Sequence, residues 1–279
     1  MRARSIATFQ LGLAIAAVGC SPDKGSGDWS GEERDGRLIS DVYSWLCDDG
    51  DSYQGVYKQQ ITLEYAPDGL GSLEPPSAGG CQLDKDMFPS SAGSEGASLP
   101  DLDGEPRWAS DIDSGELQEI GSGFWRDDVT DNVHSCQNIE ELMGSGIELT
   151  DAGGLTGTST PAPPEIPVVE FTGMTDDNGT TIAWGDELVA SWDEHGWDEV
   201  WVQIRREREG EAWESVTCNA TGDTSFTMES DFWDLMDEDL QVERNNIYVA
   251  FNMTKETTSE EGMKVEAITR AIAVGVVQD

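Results

Sequence analysis

The sequence predicts a mainly β protein with two β-rich domains, the second of them a sandwich. Three observations carry this. Short runs in the second half alternate apolar and polar residues with period two. Clusters of turn-forming residues separate those runs. A Pro-rich stretch, AGGLTGTSTPAPPEIP over 152–167, divides the chain into two parts of ordinary domain size. The first domain is placed at 37–151 and the second at 168–279. The stretch between them reads as a semi-rigid linker or an extended entry strand.

In the first part, Ile61-Thr62-Leu63-Glu64-Tyr65 reads as a strand. Residues 66–104 are rich in Gly, Ser and Pro and read as a long surface excursion. Shorter extended pieces are expected at Arg107–Ser110, Gly115–Ile120 and Phe124–Val129, and a turn of helix at Asn138–Met143. The second part is clearer. Val168–Phe171 is extended after a proline, and Asp177-Asn178-Gly179 is a turn. Leu188, Ala190 and Trp192 alternate with Val189 and Ser191, and Val200, Val202 and Ile204 with Trp201, Gln203 and Arg205. Phe226 and Met228, then Ile247, Val249, Phe251 and Met253, continue the pattern. The last segment, KVEAITRAIAVGVV, suits either period, but its β-branched residues and Gly275 favour a strand.

The order of these pieces resembles a fibronectin-III or immunoglobulin-like domain. A Trp-bearing strand (LVASW) precedes a long strand (EVWVQIRR), then SFTME, a turn of helix (FWDLM) and a strand with an early tyrosine (NIYVAF). The proline-glycine turn usual before the tyrosine strand is absent, and so is a cell-attachment tripeptide. The resemblance covers 168–279 and implies a two-sheet sandwich there.

The N-terminus has its own logic. Arg2 and Arg4 precede a mostly apolar run, Ile6 to Val18, too short for a membrane span. Small residues then lead into Cys20. Ala17-Val18-Gly19-Cys20 resembles the lipobox of bacterial lipoproteins, departing at Ala17, where that family prefers leucine. The resemblance implies removal of residues 1–19 as a signal peptide, diacylation of the Cys20 thiol and acylation of the new amino terminus. Ser21 implies transfer to the outer membrane. An ordinary export signal cut nearby is the alternative. Residues 20–36, polar and rich in Gly, Ser and charge, read as a flexible tether.

Cysteine arithmetic agrees. Five cysteines are an odd number for an exported protein, and lipidating Cys20 leaves Cys47, Cys81, Cys136 and Cys218 for two disulfides. Three pairings are possible, and in each of them Cys218 bridges to the first part if all four are paired; Cys47–Cys81 with Cys136–Cys218 is the one favoured.

The chain has 56 acidic and 16 basic residues, a formal charge of −40. Such a surface repels phosphate backbones, which argues against nucleic acid as a partner. It also repels anionic lipid, so a membrane address must come from acyl chains. The charge is a solvated, aggregation-resistant surface, like that of proteins from salty habitats, or a cation-binding one.

Little in the sequence marks catalysis. The two histidines, His134 and His195, form no helical zinc pair. No Gly-x-Ser-x-Gly elbow or phosphate loop occurs. His134 lies near Cys136, but in an exported chain a disulfide is the better reading of that cysteine. With 56 acids, neighbouring carboxylate pairs carry no information about glycosidase chemistry. Calcium has a candidate loop: Asp111 and Asp113 occupy the first two ligand positions of an EF-hand-like pattern. Its glycine and final glutamate are missing, and an Asp-Gly turn explains the loop equally. Asp101-Leu-Asp103-Gly104 is a shorter fragment of the same kind. Trp192, Trp197 and Trp201 flank a loop holding Asp193, Glu194 and His195. Trp192 reads as core, whereas Trp197 and Trp201 are read either as packing residues or as a glycan-contacting face. The expectation is a lipid-anchored, acidic, non-catalytic binding or structural module with an unknown protein or glycan partner. A carbohydrate-binding module or a glycan-active hydrolase is the alternative.

Overall fold

The computed structural model describes residues 34–48, 52–70, 75–83, 87, 102, 105–111, 113–121, 123–128, 146–165, 167–172, 181–183, 187–208, 211–228, 233, 236 and 244–278. The signal segment, Cys20, the Asp177–Gly179 turn, the 138–143 helical turn, His134 and Cys136 lie outside them.

The protein is mainly β. One ten-stranded sheet forms its spine, in the order β3(Cys81–Leu83), β13(Glu211–Asn219), β12(Glu199–Arg208), β15(Arg244–Thr258), β16(Lys264–Gln278), β1(Arg34–Asp48), β2(Ser52–Leu70), β7(Phe124–Asp128) and β6(Gln118–Gly121), with β10(Thr181–Ala183) pairing the far end of β16. Two three-stranded sheets complete it: β14(Ser225–Met228), β11(Leu188–Trp192) and β9(Val169–Thr172) in one, and β5(Ser114–Glu116), β4(Arg107–Ala109) and β8(Glu148–Asp151) in the other.

The second half therefore contains β9, β11 and β14 opposite β13, β12, β15 and β16, the two-sheet arrangement expected for 168–279. KVEAITRAIAVGVV is a strand throughout. The boundary expected at 152–167 does not divide the sheet. β1, from the first half, pairs in parallel with β16, from Gly36 opposite Val265 to Ser44 opposite Ala273. β1 also begins at Arg34, inside the stretch read as tether.

The expected surface excursion at 66–104 is partly sheet as well. β2 runs on to Leu70, and β3 adds to the edge of β13, with Cys81 opposite Cys218. These pairings join residues far apart in sequence, which period counting cannot register.

Alternation gives the spine one apolar face with two cores on it. Leu38, Ile61, Leu63 and Trp125 pack with Trp108, Ile147, Leu149 and Leu155 of the first half. Val200, Val202, Ile204, Val249 and Phe251 pack with Val169, Leu188, Ala190, Trp192 and Met228 of the second. Each core borrows from the other half: Val265 joins the first, and Val42 and Cys81 join the second. The Pro-rich stretch is laid down between them. Thr160 N–H donates to Ile147 O at 2.8 Å, and the Thr269 hydroxyl of β16 donates to Pro161 O at 2.6 Å. Here it acts as an extended strap rather than a free spacer.

The other face of the spine is also buried, and it mixes polar and charged side chains with an apolar cluster of Trp201, Tyr248, Ala250 and Ile272. Arg37, Asp41, Gln203, Asn252, Glu266 and Arg270 all lie on it with little exposure. Strands buried on both faces are expected to read as continuous apolar runs. Here the second face alternates in polarity while remaining inside, so the half-buried reading of β12 and β15 was only half right.

Candidate functional site

The loop joining β11 to β12 and the end of the Pro-rich strap face each other across an open cleft of about 530 Å³. Pro164, Glu165 and Pro167 form one wall; Asp193, Glu194 and His195 form the other. An aromatic cluster beneath them fixes the geometry. Phe251 of β15 is the centre: Trp192 meets its ring edge-on at 5.9 Å, His195 at 5.2 Å and Trp197 at 6.5 Å with a tilt. The Trp197 indole N–H donates to Glu165 O at 3.0 Å and so ties the two walls together. The Trp197 backbone N–H donates to His195 Nδ1 at 3.2 Å, which leaves the imidazole proton on Nε2.

Burial lowers the pKa of His195 from its ordinary value, so the ring is neutral at pH 7. Glu165, Asp193 and Glu194 stand exposed. The cleft thus has an apolar, proline-lined side, an acidic rim and a neutral imidazole. Its charge suits cationic or neutral polar groups and opposes anions.

The tryptophans read as a glycan face lie elsewhere. Trp197 is 5 % exposed and Trp201 3 %. Trp197 belongs to the second-half core, and Trp201 to the opposite face with Met87, Tyr248 and Ile272. Neither ring offers a free face to a sugar. The packing reading replaces the glycan one, because Trp197 spans two chain segments and Trp201 lies on the spine's inner polar side. The Trp201 indole donates to Glu199 Oε2 at 3.1 Å.

Asp111 and Asp113 sit in the β4–β5 hairpin, both exposed. Asp113 Oδ1 accepts the Ser114 N–H at 2.8 Å, and the Asp113 N–H donates to Ser110 Oγ at 3.0 Å. That is turn geometry. Among the described residues no group of three or more His, Cys, Asp or Glu side chains converges as a metal site. No described helix is long and apolar enough to cross a membrane.

Cys81 bonds to Cys218 across the β3–β13 pair, with their Cα atoms 4.0 Å apart. This overturns both favoured pairings, since each had assigned one of these cysteines elsewhere. A bridge does link the two halves, but through the edge strand β3. Cys47 and Cys136 are the other two of the four. Cys47 lies in β1 opposite Tyr53.

Sequence reasoning missed the charged groups at the seam between β1 and β16. Asp41 and Arg270 are register partners, both 1 % exposed. Arg270 Nε and Nη2 donate to the two Asp41 oxygens at 2.5 and 2.6 Å, and its Nη1 donates to Met87 O at 2.5 Å. Two pleat repeats away, Arg37 donates to Glu266 at 2.7 Å and to Glu64 at 2.5 Å, bridging β16, β1 and β2. Arg34 pairs with Glu256 of β15. The signal available was Arg270 interrupting AITRAIAV, an arginine inside an otherwise apolar strand.

No protein-family model matches the chain, and no curated protein matches it. Among solved structures, the yeast delta-COP-I mu-homology domain aligns with 88 % of this chain and 98 % of its own, at 9 % identity and a TM-score of 0.22. That likeness is too slight to carry fold or function.

Proposed function

We propose that this chain is a lipid-anchored, non-catalytic module of the cell envelope, addressed to the outer membrane through acylated Cys20. The observation that carries the reading is the sequence before and at Cys20: two arginines, an interrupted apolar run, then Ala17-Val18-Gly19-Cys20. Only residues 21–33 separate Cys20 from the first strand at Arg34. At full extension they reach about 45 Å, so the β body is held close to the bilayer. The body is strongly acidic and cannot add attraction to an anionic surface, so two or three acyl chains have to supply the anchoring.

Of the binding surfaces considered, the acidic-rimmed cleft at Glu165, Asp193 and Glu194 supports a binding role better than the tryptophans do. The test is intact mass of the membrane-extracted protein beside a Cys20→Ser variant. A chain starting at Cys20 and carrying diacylglyceryl and amide-linked acyl groups is expected, with the variant released to the soluble fraction. An unlipidated wild-type product would overturn the reading.

A further inference from the structure

Four strands place a row of polar side chains across the inner face of the spine. Glu199 of β12 is the register partner of Asn252 of β15, and Asn252 is the register partner of Arg270 of β16. Asp41 of β1 ends the row by pairing with Arg270. Every member but one is satisfied. Asn252 is 2 % exposed, its amide nitrogen donates to Ala250 O at 3.2 Å, and its Oδ1 has no hydrogen-bond partner. A buried carbonyl oxygen left without a donor is costly. Register partners on one face have Cβ atoms about 5 Å apart, so Asn252 stands between the Glu199 carboxyl on one side and Arg270 on the other, and Arg270 is engaged with Asp41 and Met87 O. One Glu199 oxygen accepts the Trp201 indole N–H. Ionised, Glu199 would set a second acceptor against Asn252 Oδ1. Protonated, it supplies the missing donor.

We propose that Glu199 keeps its proton in the folded protein above the pH at which a solvent carboxyl loses it, and donates it to Asn252 Oδ1. The surroundings act in the same direction. Burial raises the pKa of the Glu199 carboxyl; the Trp201 hydrogen bond opposes this, while Asp198 just before the strand and Glu266 on β16 reinforce it. The charges from the neighbouring strands are already committed: Arg270 to Asp41, and Arg37 to Glu266 and Glu64. The sign follows. An acid whose folded value is raised stabilises the fold fully below its unfolded value, and this contribution is lost as pH rises through the folded value. The contact is a latch that tightens on mild acidification. It stands independently of the lipid-anchor reading.

The test uses the full mature chain. In Glu199→Gln the amide NH₂ replaces the acid proton at every pH, and the amide oxygen still accepts from Trp201. Its Tm is expected to exceed wild type by about 2–4 °C at pH 7, with the gap closing toward pH 4. Comparison between the two proteins removes the relief of general charge repulsion, which both share. In an Asn252→Val background the gap is expected to shrink. In wild-type protein, NMR of the Glu199 carboxyl carbon and the Asn252 side-chain amide is expected to give one shared midpoint, above the ordinary glutamate value. A gap that does not change with pH would overturn the proposal. So would an Asn252 amide that ignores the Glu199 titration, which would mean that a bound water or ion satisfies Oδ1 instead.

Discussion

On one side of the central sheet Leu38 lies between Ala267 and Leu63. One residue earlier, on the other side, Arg37 lies between Glu266 and Glu64. Both faces are buried, yet they hold the strands by different means. The apolar face gains its free energy from area removed from water, about 1.5–3 kcal/mol for each large side chain. The polar face gains little net stability from its ion pairs, because desolvation offsets most of the attraction. It gains alignment. Sliding β1 by one residue against β16 would separate Arg37 from Glu266 and Asp41 from Arg270 together, stranding Glu266, Asp41 and Arg270 and leaving Arg37 with Glu64 alone. A parallel seam has no hairpin turn to set its register, so side chains must do it.

The sharpest way to break the comparison is to remove one charge. Arg270→Met leaves the Asp41 carboxyl without its cation partner at 1 % exposure, and is expected to cost about 3–5 kcal/mol in denaturant unfolding. Adding Asp41→Leu should restore most of it, because the second variant removes the stranded charge. A single variant that unfolds like wild type would mean that the seam is held by its apolar face alone.

The disulfide comes next. Cys81 and Cys218 sit at one edge of the spine and tie β3 to β13 across 137 residues of chain. Replacing both with alanine should cost about 2–4 kcal/mol. Peptide mapping without reduction is expected to return Cys81 and Cys218 in one linked fragment, and finding them apart would refute the pairing.

Gly115 probes the first-half core. A Cβ there would stand 2.6 Å from Trp108 Nε1 and in collision with Asp127 Oδ2, the pair joined by a 2.8 Å hydrogen bond. Gly115→Ala is expected to cost about 1–3 kcal/mol and to shift the Trp108 indole N–H resonance. The same substitution at Gly222, which has open space around it but a φ of +90°, would carry backbone strain alone.

These residues also show what was legible. β11, β12 and β15 were readable because each alternates over five or more residues, and Trp192 was placed in the core for that reason; β16 was readable from its β-branched residues and Gly275. β1 was not, because Arg37, Ser40, Asp41 and Ser44 break its apolar series, and they do so because their partners lie on β2 and β16. β3 is three residues long inside a Gly/Ser/Pro-rich stretch and exists through its pairing with β13. The cleft was half visible: Asp193, Glu194 and His195 were noticed as a loop among tryptophans. Nothing local in the sequence says that Pro164 and Glu165 return to face them. Local pattern records which side of a strand is apolar; it does not record which strand lies next to it.

The exposed pair Arg107–Glu116 completes the contrast at the small end. These are register partners on β4 and β5, as Arg37 and Glu266 are on β1 and β16, but their side chains are 54 % and 52 % exposed. Water solvates both ions whether or not they meet, so neither is stranded when the other is removed. Arg107→Ala is therefore expected to cost about 0.2–1 kcal/mol, and most of that should vanish in 1 M salt, where the screening length falls to about 3 Å. Arg37→Met should cost several times more and keep its cost in salt, since ions do not reach a pair at 4–5 % exposure. Equal costs for the two variants, or equal salt sensitivity, would show that position in the sheet, rather than burial, sets the worth of a cross-strand pair. A clear separation would show that the same two residue types, set opposite each other in the same way, fix register inside the protein and merely decorate it outside.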